Sequence, residues 1–297
     1  MITITSHPTE PFGLHTSIDG FAVYLDLFAI KELAKGDPAR RNRFIATANR
    51  GAEVLFSVAT AAELSGPQGA SFDKMRSFVD EIGPRWFPVE LTPRVAVDRE
   101  NEGKSPSECC VCEDLLKSFT ASRIRDIPVT QVVRFSGNFF RLGAFMDWLA
   151  PQRDSIAASK LEMYRTLDRQ IKEHRAKHDA DPNWLKTVFP ELRFRRDCPA
   201  TFAYVNLVRM LILETKQFKL KKGDGMDFCQ AVIGAAFASV ATVDKHWKRR
   251  IDALPQPNGL ATVYCSPHLD EMVDEIERNL DVLEERKKRA ALVTNSL

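Results

Sequence analysis

The sequence predicts an α/β protein built on a central parallel sheet, and three observations predict it. Short apolar runs of strand character pass directly into stretches of helical periodicity near residues 26, 58 and 240. A carboxylate stands at or just after each junction, namely Asp26, Glu63 and Asp244. The stretch Gly223–Lys245 places a helix-forming run immediately before a buried-strand run, which is the sequence form of a crossover unit.

Taken in order, residues 1–20 hold Thr, Ser, His and Pro without clear periodicity and read as a lead-in along the domain edge. Ala22–Leu25 is an apolar strand ending at Asp26, and Leu27–Ala34 turns to helical spacing. Asp37-Pro38 opens the next helix, whose Arg40, Arg41 and Arg43 read as a solvated basic face in preference to an RNA contact. Val54–Val58 is a second strand, running into a helix that carries Glu63 in its first turn or two. Ser71–Ile82 is amphipathic, with Phe72, Met75, Phe78, Val79 and Ile82 on one side, and Trp86–Leu91 is a third short strand.

From about residue 92 to 198 the strand–helix alternation gives way to a mostly helical segment. Residues 100–108 read as a polar loop, Ile127–Val133 as strand or extended linker, and Asn138–Ala150 and Ser155–Ala176 as helices. The second of these is charged along its length and reads as exposed, with His174 and His178 as a solvated pair. Phe202–Phe218 is a long apolar-periodic helix closed by Lys216, Lys219, Lys221 and Lys222. Asp224 stands where an N-cap would, with Asp227 three residues on in the position of a capping-box acid. Phe228, Val232, Ala235 and Ala236 continue at helical spacing, and Val240–Val243 is a buried strand ending at Asp244. Lys245 to Arg250 is the densest basic–aromatic patch, Leu260–Cys265 is a last strand, and Leu269–Ala291 is a terminal helix. Its stripe of Met272, Ile276, Leu280 and Leu283 is assigned to core packing ahead of a partner surface. The resulting division is 20–91, 92–198, 199–265 and 266–297.

Bulk properties narrow the function. At 297 residues with a net charge of +2, the chain has room for a large core and no global attraction to nucleic acid, so any basic footprint is local. No apolar run reaches membrane-spanning length and the amino terminus lacks a basic-then-apolar leader, so a cytoplasmic protein is expected. The cluster Cys109-Cys110-Val111-Cys112 lacks the second ligand pair of a structural zinc site, and the six cysteines read as thiols. No Gly-rich phosphate loop, nucleophile elbow or dinucleotide fingerprint is present.

What remains is a set of four carboxylates, Asp26, Glu63, Asp227 and Asp244, placed at matching ends of strand–helix junctions. Ligands of open parallel sheets gather at the carboxyl ends of the strands. Crowded carboxylates repel one another, and a hard divalent cation with oxygen ligands relieves that cost. Such ions activate water and stabilise charge on a phosphodiester undergoing cleavage.

Tyr24-Leu25-Asp26-Leu27-Phe28, Thr60-Ala61-Ala62-Glu63-Leu64, the Asp227 helix and Val240–Trp247 together resemble the PIN-domain nucleases, over roughly residues 20–90 and 200–265. The resemblance implies a three-layer α/β/α core with a large helical insertion between Glu63 and Asp227. It implies an Mg2+- or Mn2+-dependent endoribonuclease with Asp26 and Asp227 as direct metal ligands, and Glu63 and Asp244 completing the cage or orienting water. Single-stranded RNA would be the substrate, with Trp247 against base or sugar and Lys245, Lys248 and Arg249 against phosphate. Many members of that family are toxins of toxin–antitoxin pairs, so an inhibitory protein partner is also implied. The alternatives are a non-catalytic binding module on the same fold and a structure-specific DNA nuclease.

Overall fold

The protein is described from a computed structural model. The structure describes residues 2–7, 10–16, 18, 20–66, 69–83, 86–113, 133–134, 142–214 and 218–294. Strands β1 (Ile2–His7) and β2 (Glu10–Thr16) form an antiparallel hairpin, and the two-residue strand β6 (Val133–Arg134) pairs with β1. The expected lead-in is therefore strand. Its alternation of Ile2, Ile4 with Thr3, Thr5 is a period-2 pattern too short to stand out beside the Pro and His residues that follow.

The central sheet holds β3 (Ala22–Tyr24), β4 (Glu53–Ser57), β5 (Trp86–Val89), β7 (Val240–Thr242) and β8 (Thr262–Tyr264) in the order β5-β4-β3-β7-β8. Every neighbouring pair is parallel. β3, β4 and β7 are buried throughout, as expected of parallel strands covered on both faces. Successive side chains point to opposite sides, so Val23, Val54, Phe56 and Val240 join one apolar cluster and Tyr24, Leu55, Phe87, Ala241 and Val263 another.

The first face is covered by α1 (Leu27–Lys35), α2 (Pro38–Arg50), α3 (Val58–Leu64), α4 (Ala70–Glu81), α7 (Leu142–Leu149) and the terminal α13 (Leu269–Thr294). Met272, Ile276 and Leu280 of α13 are buried here, so the apolar stripe serves the core. Its charged flank meets α2. Arg40 pairs with Asp270, Arg43 with Asp274 and Glu277, and Arg50 with Asp281 and Glu284. The basic face of α2 thus has acidic partners on a helix more than 200 residues away, which local sequence cannot reveal.

The second face is covered by α5 (Pro93–Asn101), α6 (Pro106–Cys110), α8 (Arg153–Ala180), α9 (Pro182–Val188), α10 (Pro199–Leu213), α11 (Asp224–Phe237) and α12 (Lys245–Asp252). Leu167, Ile171 and Leu185 from the helical segment share one buried cluster with Tyr24 and Val263, so that segment lies against the sheet. The expected loop over 100–108 is borne out at 102–105, while its two ends belong to α5 and to a capped start of α6. Ser105 and Glu108 form a capping box there ahead of Pro106. His174 stacks near Trp184 and Phe189 at 5.3 and 5.1 Å, so it is half-buried and not part of a solvated pair. α10 ends at Leu213, and Lys219, Lys221 and Lys222 lie in the connection to α11. Lys216, Ile127–Val132 and Asn138–Arg141 fall outside the described residues.

Candidate active site

The sheet order puts β3, the first of the five in the chain, in the middle. The chain turns to one side for β4 and β5 and returns to the other for β7 and β8. In open parallel sheets a ligand crevice forms at the carboxyl ends of the two strands where the order reverses. Asp26 lies two residues beyond β3 and Asp244 two beyond β7, so both stand at that crevice. α11 precedes the parallel strand β7 and must run back across the sheet, which returns its first turn, with Asp227, to the same edge. Glu63 comes from α3, directly after β4.

Asp26 is the N-cap of α1, its Oδ1 accepting from Ala29 N at 2.9 Å. Thr242 of β7 donates its hydroxyl to the same Oδ1 at 2.9 Å and accepts from Asp26 N at 2.8 Å. Burial pushes the Asp26 carboxyl up to about 6 against these bonds, with Asp244 and Glu63 adding repulsion. Asp227 is pushed up to about 7, first by burial and then by Asp244, Glu63, Asp224 and Asp26. This mutual repulsion joins the four sequence-chosen acids, and Asp224, in one electrostatic cluster.

Asp224 is the first residue of α11 and Gly223 holds the cap position, so the expected N-cap is corrected by one residue. The Asp224 side chain folds back to accept from Lys221 N at 2.6 Å, and that local bond competes with capping. His246 Nε2 lies 3.6 Å from Asp224 Oδ1, and burial holds the imidazole below its ordinary pKa.

Glu63 is the most occupied of the acids. Its Oε1 accepts from Lys160 Nζ of α8, its Oε2 accepts from Gln230 Nε2 at 3.2 Å, and its side chain is 10% exposed. Neither Lys160 nor Gln230 is among the residues the sequence points to. Nothing in Lys160 sets it apart from the other basic residues of its helix, and Gln230 sits in an apolar run where it reads as an odd polar residue.

Asp244 is exposed and forms one wall of a groove of about 650 Å3 that Lys245, Lys248, Arg249 and His268 also line. Lys248 is held by Asp252 at 2.9 Å, whereas Arg249 is 75% exposed and 3.9 Å from Glu214. Three of the four expected nucleic-acid contacts therefore face one groove. Trp247 does not. It is 0% exposed, packs on Phe228 at 5.5 Å and lies under the Arg250 guanidinium at 5.2 Å. It occupies the inward face of an amphipathic helix, so it cannot stack on a base. Phe28, in the first turn of α1 just after Asp26, is 42% exposed and provides an aromatic surface near the crevice.

The acidic side chains offer only oxygen, the ligand type that suits a hard divalent ion, and Asp26 and Asp227 are raised by burial first and by repulsion from their neighbours second. Among the described residues no group of three or more His, Cys, Asp or Glu side chains is arranged to hold a metal ion. Among the described residues the six cysteines are all free thiols, and Cys109, Cys110 and Cys229 are buried ones whose ionisation burial disfavours. No known family model, curated protein or solved structure matches this chain.

Proposed function

We propose that the protein is a metal-dependent nuclease with a PIN-like core, hydrolysing phosphodiester bonds in single-stranded RNA. The observation that carries the reading is the acidic cluster at the strand-order reversal, where Asp26 and Asp227 are held near 6 and 7 by burial and mutual repulsion. A cluster maintained at that cost is unfavourable for a scaffold and useful for binding a cation. Asp26, Asp227 and Asp244 would hold Mg2+ or Mn2+, and the bound ion would supply an activated water and charge stabilisation.

The chain's own residues do the rest. Ala29 N and Thr242 fix Asp26 through Oδ1, so Oδ2 is presented in one orientation. Gln230 fixes Glu63. Lys245, Lys248 and Arg249 line the groove that leads away from Asp244, which suits the phosphates of a strand crossing the centre, and Phe28 offers a face for an unstacked base.

Calorimetric titration of Mn2+ into the wild type and Asp227→Asn, followed by cleavage of a single-stranded RNA pool, tests this. Metal uptake that depends on Asp227, with metal-dependent cleavage, is the expected result. A second reading is a non-catalytic RNA-binding module, favoured by the way Lys160 and Gln230 satisfy both oxygens of Glu63 without an ion. RNA binding with no metal uptake by a folded protein would select it.

A further inference from the structure

We infer that the groove between α8 and the connection from α10 to α11 is a second nucleotide subsite. It takes one unstacked nucleotide of the same RNA strand whose phosphates cross the Asp244 groove. The inference rests on the RNA reading above and needs no metal ion. The groove has a volume of about 470 Å3, within the ~300–1,000 Å3 that suits small organic ligands. Tyr164, Ile171, Phe218 and Leu220 give it aromatic and aliphatic walls, and Lys219 stands among the cations that line it. Such walls suit the face of a base, and an ammonium beside them suits its phosphate. Tyr164 and Phe218 are only half-buried, so part of each ring stays accessible. The other cations of the groove are engaged. Lys172 pairs with Asp168 of its own helix, and Arg175 donates to the carbonyls of Leu211 and Phe218. Lys219 and Lys222 are exposed, and among the described residues neither ammonium is in an ion pair. Asp168 and Asp179 also line the groove and would repel an acidic peptide, whereas a base offers them amino donors.

Helix packing sets this groove beside the candidate active site. A Cβ at Gly225 would come within 2.6 Å of Tyr164 N and 2.7 Å of Tyr164 Cα, so only glycine allows α8 to approach the first turn of α11 this closely. That turn carries Asp227. Tyr164 also lies one helical turn, about 6 Å, beyond Lys160, whose ammonium bonds Glu63. On its other side the groove adjoins the one beside Asp244. Phe218 lies under the Arg250 guanidinium at 4.7 Å, and Glu214 pairs with both Arg250 and Arg249, which lines the Asp244 groove. The charge of Lys221 reaches His246, another residue of that groove. A strand leaving Arg249 therefore meets the lysines of the connection before it meets Tyr164.

Fluorescence anisotropy on the full chain tests this, using single-stranded RNA of roughly 4 and roughly 12 nucleotides with divalent ions chelated so that no strand is cut. Tyr164→Leu removes the aromatic wall, Lys219→Ala removes the exposed charge and Lys219→Arg retains it, with circular dichroism checking the fold. Tyr164→Leu and Lys219→Ala should each weaken binding of the longer RNA, the first by about 5-fold or more, and leave the shorter unchanged. Lys219→Arg should bind both as the wild type does. Should Tyr164→Leu not fold, Lys219→Ala at its exposed position carries the test alone. Unchanged binding of the longer RNA, or an equal loss at both lengths, would overturn the second subsite and leave the nuclease reading standing. A loss of polyglutamate binding in place of RNA binding would give the groove to an acidic protein partner and overturn it as well. No binding of either RNA by the wild type would overturn the RNA reading and this inference with it.

Discussion

Thr242 and Asp26, 216 positions apart in the chain, exchange two hydrogen bonds through one hydroxyl. The hydroxyl accepts from the Asp26 amide at 2.8 Å and donates to Oδ1 at 2.9 Å. It therefore ties the end of β3 to the end of β7 and orients a candidate ligand in the same act. Thr242→Val keeps the shape and removes both bonds, leaving a backbone amide unsatisfied. A loss of about 1–3 kcal/mol in urea unfolding is expected, with Thr242→Ser recovering most of it.

Asp26→Asn retains an oxygen to accept from Ala29 N and removes the charge. Under the nuclease reading, cleavage of single-stranded RNA should fall by about 100-fold or more while the fold is kept. Full activity in the variant would remove Asp26 from the chemistry.

The raised carboxyl of Asp227 makes stability depend on pH with a definite sign. A folded-state value of about 7, above the ordinary aspartate range, means that the folded protein binds this proton more tightly than the unfolded chain does. The stability so contributed is complete below about pH 4 and is lost as pH rises through 7. Asp26, pushed up to about 6, acts in the same direction over a slightly lower range. Asp227→Asn should therefore be more stable than the wild type at pH 8, by roughly 1–3 kcal/mol after allowance for partial exposure, and the gap should close near pH 4. Denaturant unfolding at the two pH values reads this directly.

The groove beside Asp244 separates binding from folding. Lys245→Ala and Arg249→Ala should weaken single-stranded RNA binding and lower the dependence of log K on log salt by about 0.7 for each phosphate no longer neutralised. Trp247→Ala should act differently, costing about 3–5 kcal/mol of stability through a core cavity. Fluorescence anisotropy across a salt series and thermal unfolding of the same variants distinguish these outcomes.

Gly225→Ala adds one methyl group against the backbone of α8. Overpacking of this kind costs about 1–3 kcal/mol, readable as a shift in the urea midpoint. A neutral result would mean that α8 gives way easily there.

The strands of the parallel sheet and the helices that face it are legible because burial on both sides writes continuous apolar runs and helical stripes into the local sequence. Ala22–Leu25, Val54–Val58 and Val240–Val243 carry that signature, and the structure places a strand over each, β4 starting one residue earlier at Glu53. The nearness of the four acids is legible too, since carboxyl ends of parallel strands share an edge. Lys160 and Gln230 are not, because the helix bearing Lys160 is brought to the site by packing against Gly225, a long-range contact with no periodicity of its own. Trp247, expected against a base or sugar, turns inward for a related reason. A tryptophan among basic residues looks exposed until the helix phase is known, and here the phase sets it beside Ile251 and buries it. The α2–α13 ion pairs are hidden from local sequence because each helix alone reads as a charged surface.

The sheet order has a consequence for the chain as it is being made. β3 is early in the sequence yet central in the sheet, and its neighbour β7 is specified only from Val240 onward. A nascent chain that has emerged as far as α10 can pair β5, β4 and β3, but one edge of β3 lacks its partner strand, and Asp227 and Asp244 do not yet exist. Gly225, against which the Lys160 helix packs, does not yet exist either. Under the proposed reading, the enzyme is inert throughout the first three quarters of its own synthesis, and its activity appears only when the last crossover closes the sheet.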